Sequence, residues 1–171
     1  MNTLDIYKLL LNHFGNDIIL DFVETEDPYI KINHKHIQTI CAFLRYNPKL
    51  KFIFLSNISG VDYPDRNEID IVYHLFSSEL NHLCALKTTV SRDKPELDSL
   101  ESVWKAANWF EREIFDLLGV NFIGHSNLKR ILLPDDWEGH PLRKDYKEND
   151  SYHDMKTTRQ DPLKLLRKKN E

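Results

Sequence analysis

A helical stretch followed by a long irregular segment, together residues 104–146, constrains this chain more than any other feature. From Val103 to Leu118 the apolar residues recur every three or four positions, which predicts an amphipathic α-helix. Gly119 follows the last apolar turn, where a left-handed glycine commonly ends a helix. The sequence therefore predicts a helix that ends at Gly119 and a change of structure directly after it.

The predicted helix carries charges and aromatic side chains outside its apolar stripe. Glu111 and Glu113 flank the stripe on opposite sides, and Arg112 points away from it, at about 100° per residue. Trp104 and Trp109 also lie off the stripe. Large apolar groups beside charges are typical of a second buried surface. A wide core stripe with a solvated acidic face is the alternative, and the helix alone does not decide between the two.

The segment from Val120 to Tyr146 shows neither a helical period nor a long alternation. Short apolar groups lie between turn residues such as Gly124 and Pro134. Irregular segments of this length are uncommon within a compact domain unless they are functional or bound to another molecule. We therefore predict a domain of residues 1–119 and a partner-binding arm with a polar tail at 120–171. The arm would cross another protein's surface with polar contacts from Arg130, Arg143, Lys144 and Asp145.

The composition is that of a soluble globular protein and excludes several classes. The chain has 171 residues, of which 41% are hydrophobic and 29% charged, enough for one domain with an extension. A net charge of -4 gives no reason to expect nucleic-acid binding. Cys41 and Cys84 are too few for a zinc ribbon or an iron–sulfur site. No apolar run reaches the length of a membrane span, so any link to a membrane would go through a partner.

The periodicity before the long helix predicts the element order helix, two strands, helix, three strands. The predicted bounds are a helix at 4–15 with Thr3 as N-cap, strands at 17–23 and 28–32, a helix at 34–46, and strands at 52–55, 68–76 and 80–90. Strands joined by short turns favour an antiparallel sheet. The predicted class is α+β, a mostly antiparallel sheet with helices packed on it (α-β-β-α-β-β-β-α), followed by the extended arm. The basic end at 163–169 is typical of a solvated, frayed terminus.

Patterns of catalytic chemistry are missing from the sequence. Glu111 and Glu113 lie two positions apart and diverge on a helix, whereas a helical metal pair needs a spacing of three or four. No glycine-rich phosphate loop and no G-x-S-x-G motif occurs. A free-standing hydrolase that uses Glu113 and His125 is thus a remote alternative. The sequence indicates a non-catalytic protein with a large binding surface.

Several motifs resemble those of a known family. The run E-R-E-I-F-D-L-L-G at 111–119 is followed by G-H at 124–125, L-K-R-I-L at 128–132 and G-H-P-L-R-K-D-Y at 139–146. Together they closely resemble the C-subunit family of respiratory complex I, the 30 kDa subunit of NADH–quinone oxidoreductase. The likeness covers roughly residues 52–146, including the D-Y-P corner at 62–64. Ser126 departs from it, because the family commonly has proline after the histidine.

The resemblance implies a peripheral-arm subunit that carries no catalytic residues and binds no flavin, cluster or quinone. FMN and iron–sulfur clusters would lie in partner proteins, and NADH oxidation, quinone reduction and proton pumping would belong to the assembly. The chain would pack on the quinone-site D subunit, near the cluster-bearing B subunit. It would lie at the cytoplasmic face of a bacterial inner membrane, or on the matrix side of the mitochondrial inner membrane. The corresponding subunit of a membrane-bound hydrogenase or related dehydrogenase is the close alternative.

The resemblance and the residue patterns together predict one set of partner-interface residues. This set is Trp104, Trp109, Glu111, Arg112, Glu113, Asp116, Gly119, His125, Lys129, Arg130, Trp137, Arg143, Lys144, Asp145 and Tyr146.

Overall fold

The computed structural model describes residues 1–157, so the basic end at 163–169 lies outside the described residues. Its helices are α1 (Thr3–Phe14), α2 (Ile37–Tyr46) and α3 (Ala107–Leu118). Its strands are β1 (Ile19–Val23), β2 (Tyr29–Ile32), β3 (Phe54–Tyr63), β4 (Glu68–Ser77), β5 (His82–Ser91), β6 (Glu96–Asp98), β7 (Asn121–Ile123), β8 (Ser151–Tyr152) and β9 (Met155–Lys156). No helix in this part of the chain is long and apolar enough to cross a membrane.

A five-stranded sheet in the order β1-β2-β5-β4-β3 carries the core. All neighbours pair antiparallel except β2 and β5, which are parallel. On β4 the alternating residues Ile69, Ile71, Tyr73 and Leu75 are all buried, because successive side chains of a strand point to opposite faces. These observations confirm the predicted α+β class with a mostly antiparallel sheet.

The first two helices cover the sheet with the residues that their patterns predict. Ile6 and Leu10 of α1 are buried, and α2 buries Ile37, Ile40, Cys41 and Leu44. The predicted N-cap of α1 was Thr3, but Asn2 takes that place. Its side chain accepts the Asp5 N–H at 2.8 Å, and the Asp5 carboxylate accepts the Asn2 N–H at 3.2 Å. This reciprocal capping box satisfies two backbone donors at once, which Thr3 cannot match.

Three elements differ from the sequence-based expectation. β3 spans ten residues rather than 52–55, because pairing with β4 stabilises a serine- and glycine-containing stretch of weak strand propensity. The stretch after the last predicted strand, for which no regular element was predicted, contains β6, and β6 pairs parallel with β7. α3 begins at Ala107, so Trp104 lies in the turn that precedes it.

α3 packs closely on β3, and a glycine makes this possible. A Cβ added to Gly60 would lie 2.3 Å from Leu118 Cδ1, so any larger residue would force the Leu118 side chain to move. Beyond Gly119 the chain stays in the core, since Val120 and Phe122 are buried. The predicted boundary at Gly119 therefore falls inside the packed region, between α3 and β7.

Candidate partner interface

Asp116, a fully buried carboxylate of α3, holds the segment that follows β7. Its Oδ2 accepts the backbone N–H groups of Ile131, Leu132 and Leu133 at 3.0, 2.8 and 3.0 Å. Its Oδ1 accepts Arg130 Nη1 at 2.7 Å. Burial opposes ionisation of Asp116, but the backbone donors and Arg130 outweigh burial and lower its pKa. Asp116 thus binds the segment as an anion with four donors.

The same segment, residues 124–146 and hereafter the arm, also closes the C-terminal end of α3. The four final carbonyl groups of a helix lack partners within the helix. The Phe115 carbonyl accepts the N–H of Gly119, directly after the helix, at 2.9 Å. The arm supplies partners for the other three: His140 Nδ1 to Asp116 O (2.9 Å), Leu142 N–H to Leu117 O (3.0 Å) and Arg143 Nε to Leu118 O (2.8 Å). Arg130 Nη2 also donates hydrogen bonds within the arm, to the carbonyls of Trp137 and Gly139, both at 3.0 Å.

A buried ion pair ties the end of the arm to the sheet. Asp62 of β3 accepts Arg92 Nε at 2.7 Å and the Lys144 backbone N–H at 2.8 Å. Arg92 also bonds Asp145. Burial raises the pKa of Asp62, but the bonds from Arg92 and Lys144 outweigh burial, so the net pKa lies below its ordinary value. Asp62, Arg92 and His140 are absent from the predicted set, since the pairing of Asp62 with Lys144 spans 82 residues and no local pattern reveals it.

Several predicted interface residues serve contacts inside this chain. Trp104 is buried, and its Nε1 donates to the Phe52 carbonyl at 3.0 Å. Glu111 is fully buried and accepts Leu100 N–H at 2.7 Å. Arg112, predicted to point away from the apolar stripe and to contact a partner, is buried because the arm passes over it. Its guanidinium donates to the carbonyls of Lys129 (3.1 Å) and Arg130 (3.4 Å).

Polar contacts with a partner were predicted for four residues of the arm. Arg130, Arg143 and Asp145 instead make such contacts within the chain, as does the backbone N–H of Lys144. A desolvated arginine needs acceptors, and the sequence does not tell whether they lie on the same chain or on another. Here α3 and β3 supply them. Trp137 and Tyr146 likewise bond each other, Nε1 to hydroxyl at 3.1 Å.

His125 and Glu113, the pair of the hydrolase alternative, show no catalytic arrangement. His125 Nε2 lies 3.0 Å from the Asn108 carbonyl, and its Nδ1 accepts the Asn127 N–H at 3.0 Å. Both ring nitrogens are therefore engaged by the backbone, and neither is free to act as a general base. Among residues 1–157, no group of three or more His, Cys, Asp or Glu residues is arranged to hold a metal ion.

The exposed surface of α3 and the arm includes large apolar side chains. Trp109 is 63% exposed, Leu132 60% and Leu142 53%. Glu113, also exposed, lies on the same helix one turn after Trp109. Exposed large apolar side chains beside a charge are typical of protein–protein contacts. We call these four residues the α3–arm surface.

Gly119 offers a test of how firmly the arm is attached. Its φ of +76° favours glycine, and a Cβ there would lie 2.5 Å from His140 Nε2. His140 cannot withdraw without losing its bond to Asp116 O. We expect Gly119→Ala to lower the free energy of unfolding by about 2 kcal/mol, through left-handed strain plus the displaced imidazole. Urea unfolding measures the loss.

Gly124→Ala is the matched control for that substitution. Gly124 also has a positive φ, +81°, but a Cβ there meets nothing within 4 Å. Its cost should be the conformational part alone, about 1 kcal/mol. Equal costs at the two positions would show that the packing of His140 contributes nothing.

The family assignment follows from comparison with known proteins. The model of the family described as "Respiratory-chain NADH dehydrogenase, 30 Kd subunit" matches residues 30–152. The chain belongs to this family. The match includes the whole arm together with α3 and β3, and it confirms the resemblance found in the motifs.

Two curated relatives of this family member are both named as the C subunit of NADH-quinone oxidoreductase. The C subunit of NADH-quinone oxidoreductase from Chlorobium phaeobacteroides is 42% identical over 88% of this chain and 92% of its own length. The protein of the same name from Roseiflexus castenholzii is 46% identical over 70% of this chain and 69% of its own length. The family member is thus related to components of a multi-subunit respiratory complex.

Solved structures show the same fold. A chain of "the membrane-bound sulfane sulfur reductase (MBS), an archaeal respiratory membrane complex" superposes with a TM-score of 0.70 at 25% identity, over 96% of this chain and 89% of that one. The trypsin-resistant fragment (1-134) of Nqo5 gives a TM-score of 0.58 at 22% identity, over 72% of this chain and 98% of the fragment.

Proposed function

We propose that this chain is a non-catalytic peripheral-arm subunit of proton-translocating NADH–quinone oxidoreductase, respiratory complex I. The family match and the shared name of the curated relatives support this proposal. Electron transfer from NADH through FMN and iron–sulfur clusters to quinone then takes place in partner proteins of the complex. The chain contributes a shaped surface and reaches the membrane only through those partners, at the cytoplasmic face of a bacterial membrane or the mitochondrial matrix face.

The observation that carries the proposal is the α3–arm surface. Asp116, Arg130 and Arg143 use their hydrogen bonds to fix the arm to α3. Trp109 and Leu142, by contrast, remain more than half exposed. A rigid backbone that presents large apolar side chains is suited to binding a partner, because little conformational entropy is lost on association. We therefore assign interface contacts to the exposed members of the predicted set and a supporting role to the buried ones.

The quinone-site D subunit and the cluster-bearing B subunit are the partners we propose. A relative from Photorhabdus laumondii is named as a combined C/D subunit of NADH-quinone oxidoreductase. It is 34% identical over 95% of this chain and extends far beyond it, since the match covers 27% of that protein. One polypeptide that carries a C part and a D part supports close packing of the two. The B subunit is proposed from the family resemblance alone.

Truncating Trp109 tests the proposed interface. We expect Trp109→Ala to leave the melting temperature of the free protein nearly unchanged, because the side chain is 63% exposed. The amount of D subunit that co-purifies in mild detergent should fall at least about tenfold, since buried tryptophans are frequent hot spots of binding. NADH–quinone activity of the membranes should fall in parallel.

Tyr46→Ala is the control for Trp109→Ala. Tyr46 is an aromatic residue of similar exposure, 67%, at the end of α2. It should leave co-purification and activity unchanged. If Trp109→Ala assembles as well as the Tyr46 variant, the α3–arm surface is not the interface.

A component of a related membrane complex is the second candidate, and the sulfane sulfur reductase neighbour favours it. That neighbour shows that this fold also occurs in another respiratory membrane complex. The proteins that co-purify with the tagged chain discriminate between the two: complex I brings an NADH-oxidising flavoprotein, whereas a hydrogenase- or reductase-type complex does not.

A further inference from the structure

β3 forms one edge of the five-stranded sheet and pairs only with β4. Within residues 1–157, no backbone group of Asn57–Val61 forms a hydrogen bond to any element on the other side of the strand. We infer that this free edge binds an extended segment of a neighbouring protein in the complex, which adds a strand to the sheet beside Asn57–Val61. The inference rests on the proposed function in that the segment belongs to the same complex.

A free edge of this kind is an unusual feature, because natural sheets protect their edges. The common devices are lysine or proline on the strand, short strands and bulges. Asn57–Val61 contains no charged residue and no proline, and β3 is ten residues long. A register shift between Leu55 and Asn57 interrupts the ladder on one side. Beyond the shift the register is regular from Asn57 to Tyr63. Its uncharged part, Asn57–Val61, is about 16 Å of strand, which is a common length for an added strand.

A groove runs along the same edge and accommodates side chains of an added strand. It has a volume of about 190 Å³ and lies between β3, α3 and the arm, with Ser59, Glu113, Leu117 and Leu142 in its lining. Glu113 and Leu142 also belong to the α3–arm surface. The edge and that surface are therefore continuous, and one partner can cover both. In strand addition the backbone ladder supplies affinity, and pockets for alternate side chains supply specificity.

The lining of the groove specifies the chemistry of the segment. Glu113 makes neither a hydrogen bond nor an ion pair within residues 1–157, so a lysine or arginine of the segment would face it. Apolar side chains would contact Leu117 and Leu142. A second copy of β3 does not meet this requirement, because the strand, F-L-S-N-I-S-G-V-D-Y, has no basic residue. The occupant is thus an extended segment with one cation among apolar residues.

Amide hydrogen exchange of the full-length protein, free and in the purified complex, tests the inference residue by residue. In an antiparallel edge strand, alternate N–H groups point to the neighbour and to the free side. The amides of Asn57–Val61 that point to β4 should exchange slowly in both states. The alternate ones should exchange fast in the free protein and about a hundredfold more slowly, or slower still, in the complex.

The exchange pattern separates this inference from the proposed function. If exchange slows in the complex at both the alternate β3 amides and the arm, the added strand and the proposed role in the complex are both supported. Slowing of the arm and α3 alone overturns the added strand and leaves the proposed role in the complex standing. If neither region slows in the complex, both are wrong.

Ser59→Lys provides a second measurement. A lysine on the edge, beside the groove, should lower the recovered complex about tenfold, while Ser78→Lys, in the exposed β4–β5 turn, should not. Normal assembly of the Ser59→Lys variant would overturn the added strand. If Ser59→Lys also destabilises the free protein, the exchange pattern of the unmodified protein decides the matter.

Discussion

Replacing Asp116 by alanine is expected to release the arm from α3. The substitution removes the acceptor of three backbone N–H groups and the counter-ion of Arg130. Leaving a desolvated arginine without its partner typically costs about 3–5 kcal/mol. Amide exchange of Ile131, Leu132 and Leu133 should therefore accelerate by a factor of about 10² or more. Exchange at Ile71 and Leu86, in the centre of the sheet, should change little.

Glu113→Ala is the control for Asp116→Ala, because Glu113 lies on the same helix but is exposed. It should leave exchange in the arm unchanged. A uniform acceleration in arm and sheet by Asp116→Ala would instead mean that the arm and the core unfold as one cooperative unit. The arm would then be part of the domain in energetic terms as well as by contact.

Acid should weaken the same attachment. Although burial raises the pKa of Asp116, its backbone and Arg130 donors lower it below its ordinary value. A carboxylate with a depressed folded pKa stabilises the structure above its unfolded pKa, about 3.9. That contribution is lost as the pH falls through the folded pKa. Arm amides should thus lose protection below about pH 4.

Local periodicity was sufficient to predict most of the regular elements. The alternation on β4 and the apolar stripe of α2 each identify a buried face, because strand and helix geometry relate sequence spacing directly to side-chain direction. Gly119 correctly marked the end of α3, where its φ is +76°. β6 escaped prediction because three residues in a polar loop carry no detectable period.

The role of individual charges around α3 was harder to predict. Trp104 was placed by extending the helical wheel before Ala107, where the backbone forms turns and the wheel no longer applies. Arg112 was expected to face a partner, yet its guanidinium lies 5.0 Å over the Trp109 ring and donates to arm carbonyls. A helix alone shows that a charge needs a neighbour, but only the folded chain shows that residues 129–130 supply it.

The stability of the protein should fall as the pH rises from about 4.5 to about 7, owing to Glu111. This carboxyl group is fully buried, and burial raises its pKa to about 7, against the opposing bonds from Ser99 Oγ (2.6 Å) and Leu100 N–H (2.7 Å). A carboxyl whose folded pKa is raised stabilises the fold fully below its unfolded pKa of 4.5. That contribution is lost as the pH rises through about 7. The loss amounts to roughly 3 kcal/mol.

Glu111→Gln isolates this contribution. Glutamine keeps an acceptor for Leu100 N–H and offers a donor to Ser99 Oγ, but it does not ionise. The difference in unfolding free energy between the variant and the unmodified protein should shift by roughly 2.5 kcal/mol in favour of the variant from pH 5 to pH 8, as measured by urea unfolding. Taking the difference between the two proteins cancels the contribution of His140. The pKa of His140 is lowered mainly by burial, so its contribution to stability rises with pH in that range. Parallel pH curves for the two proteins would show that Glu111 stays ionised in the core, with Ser99 and Leu100 compensating for its burial.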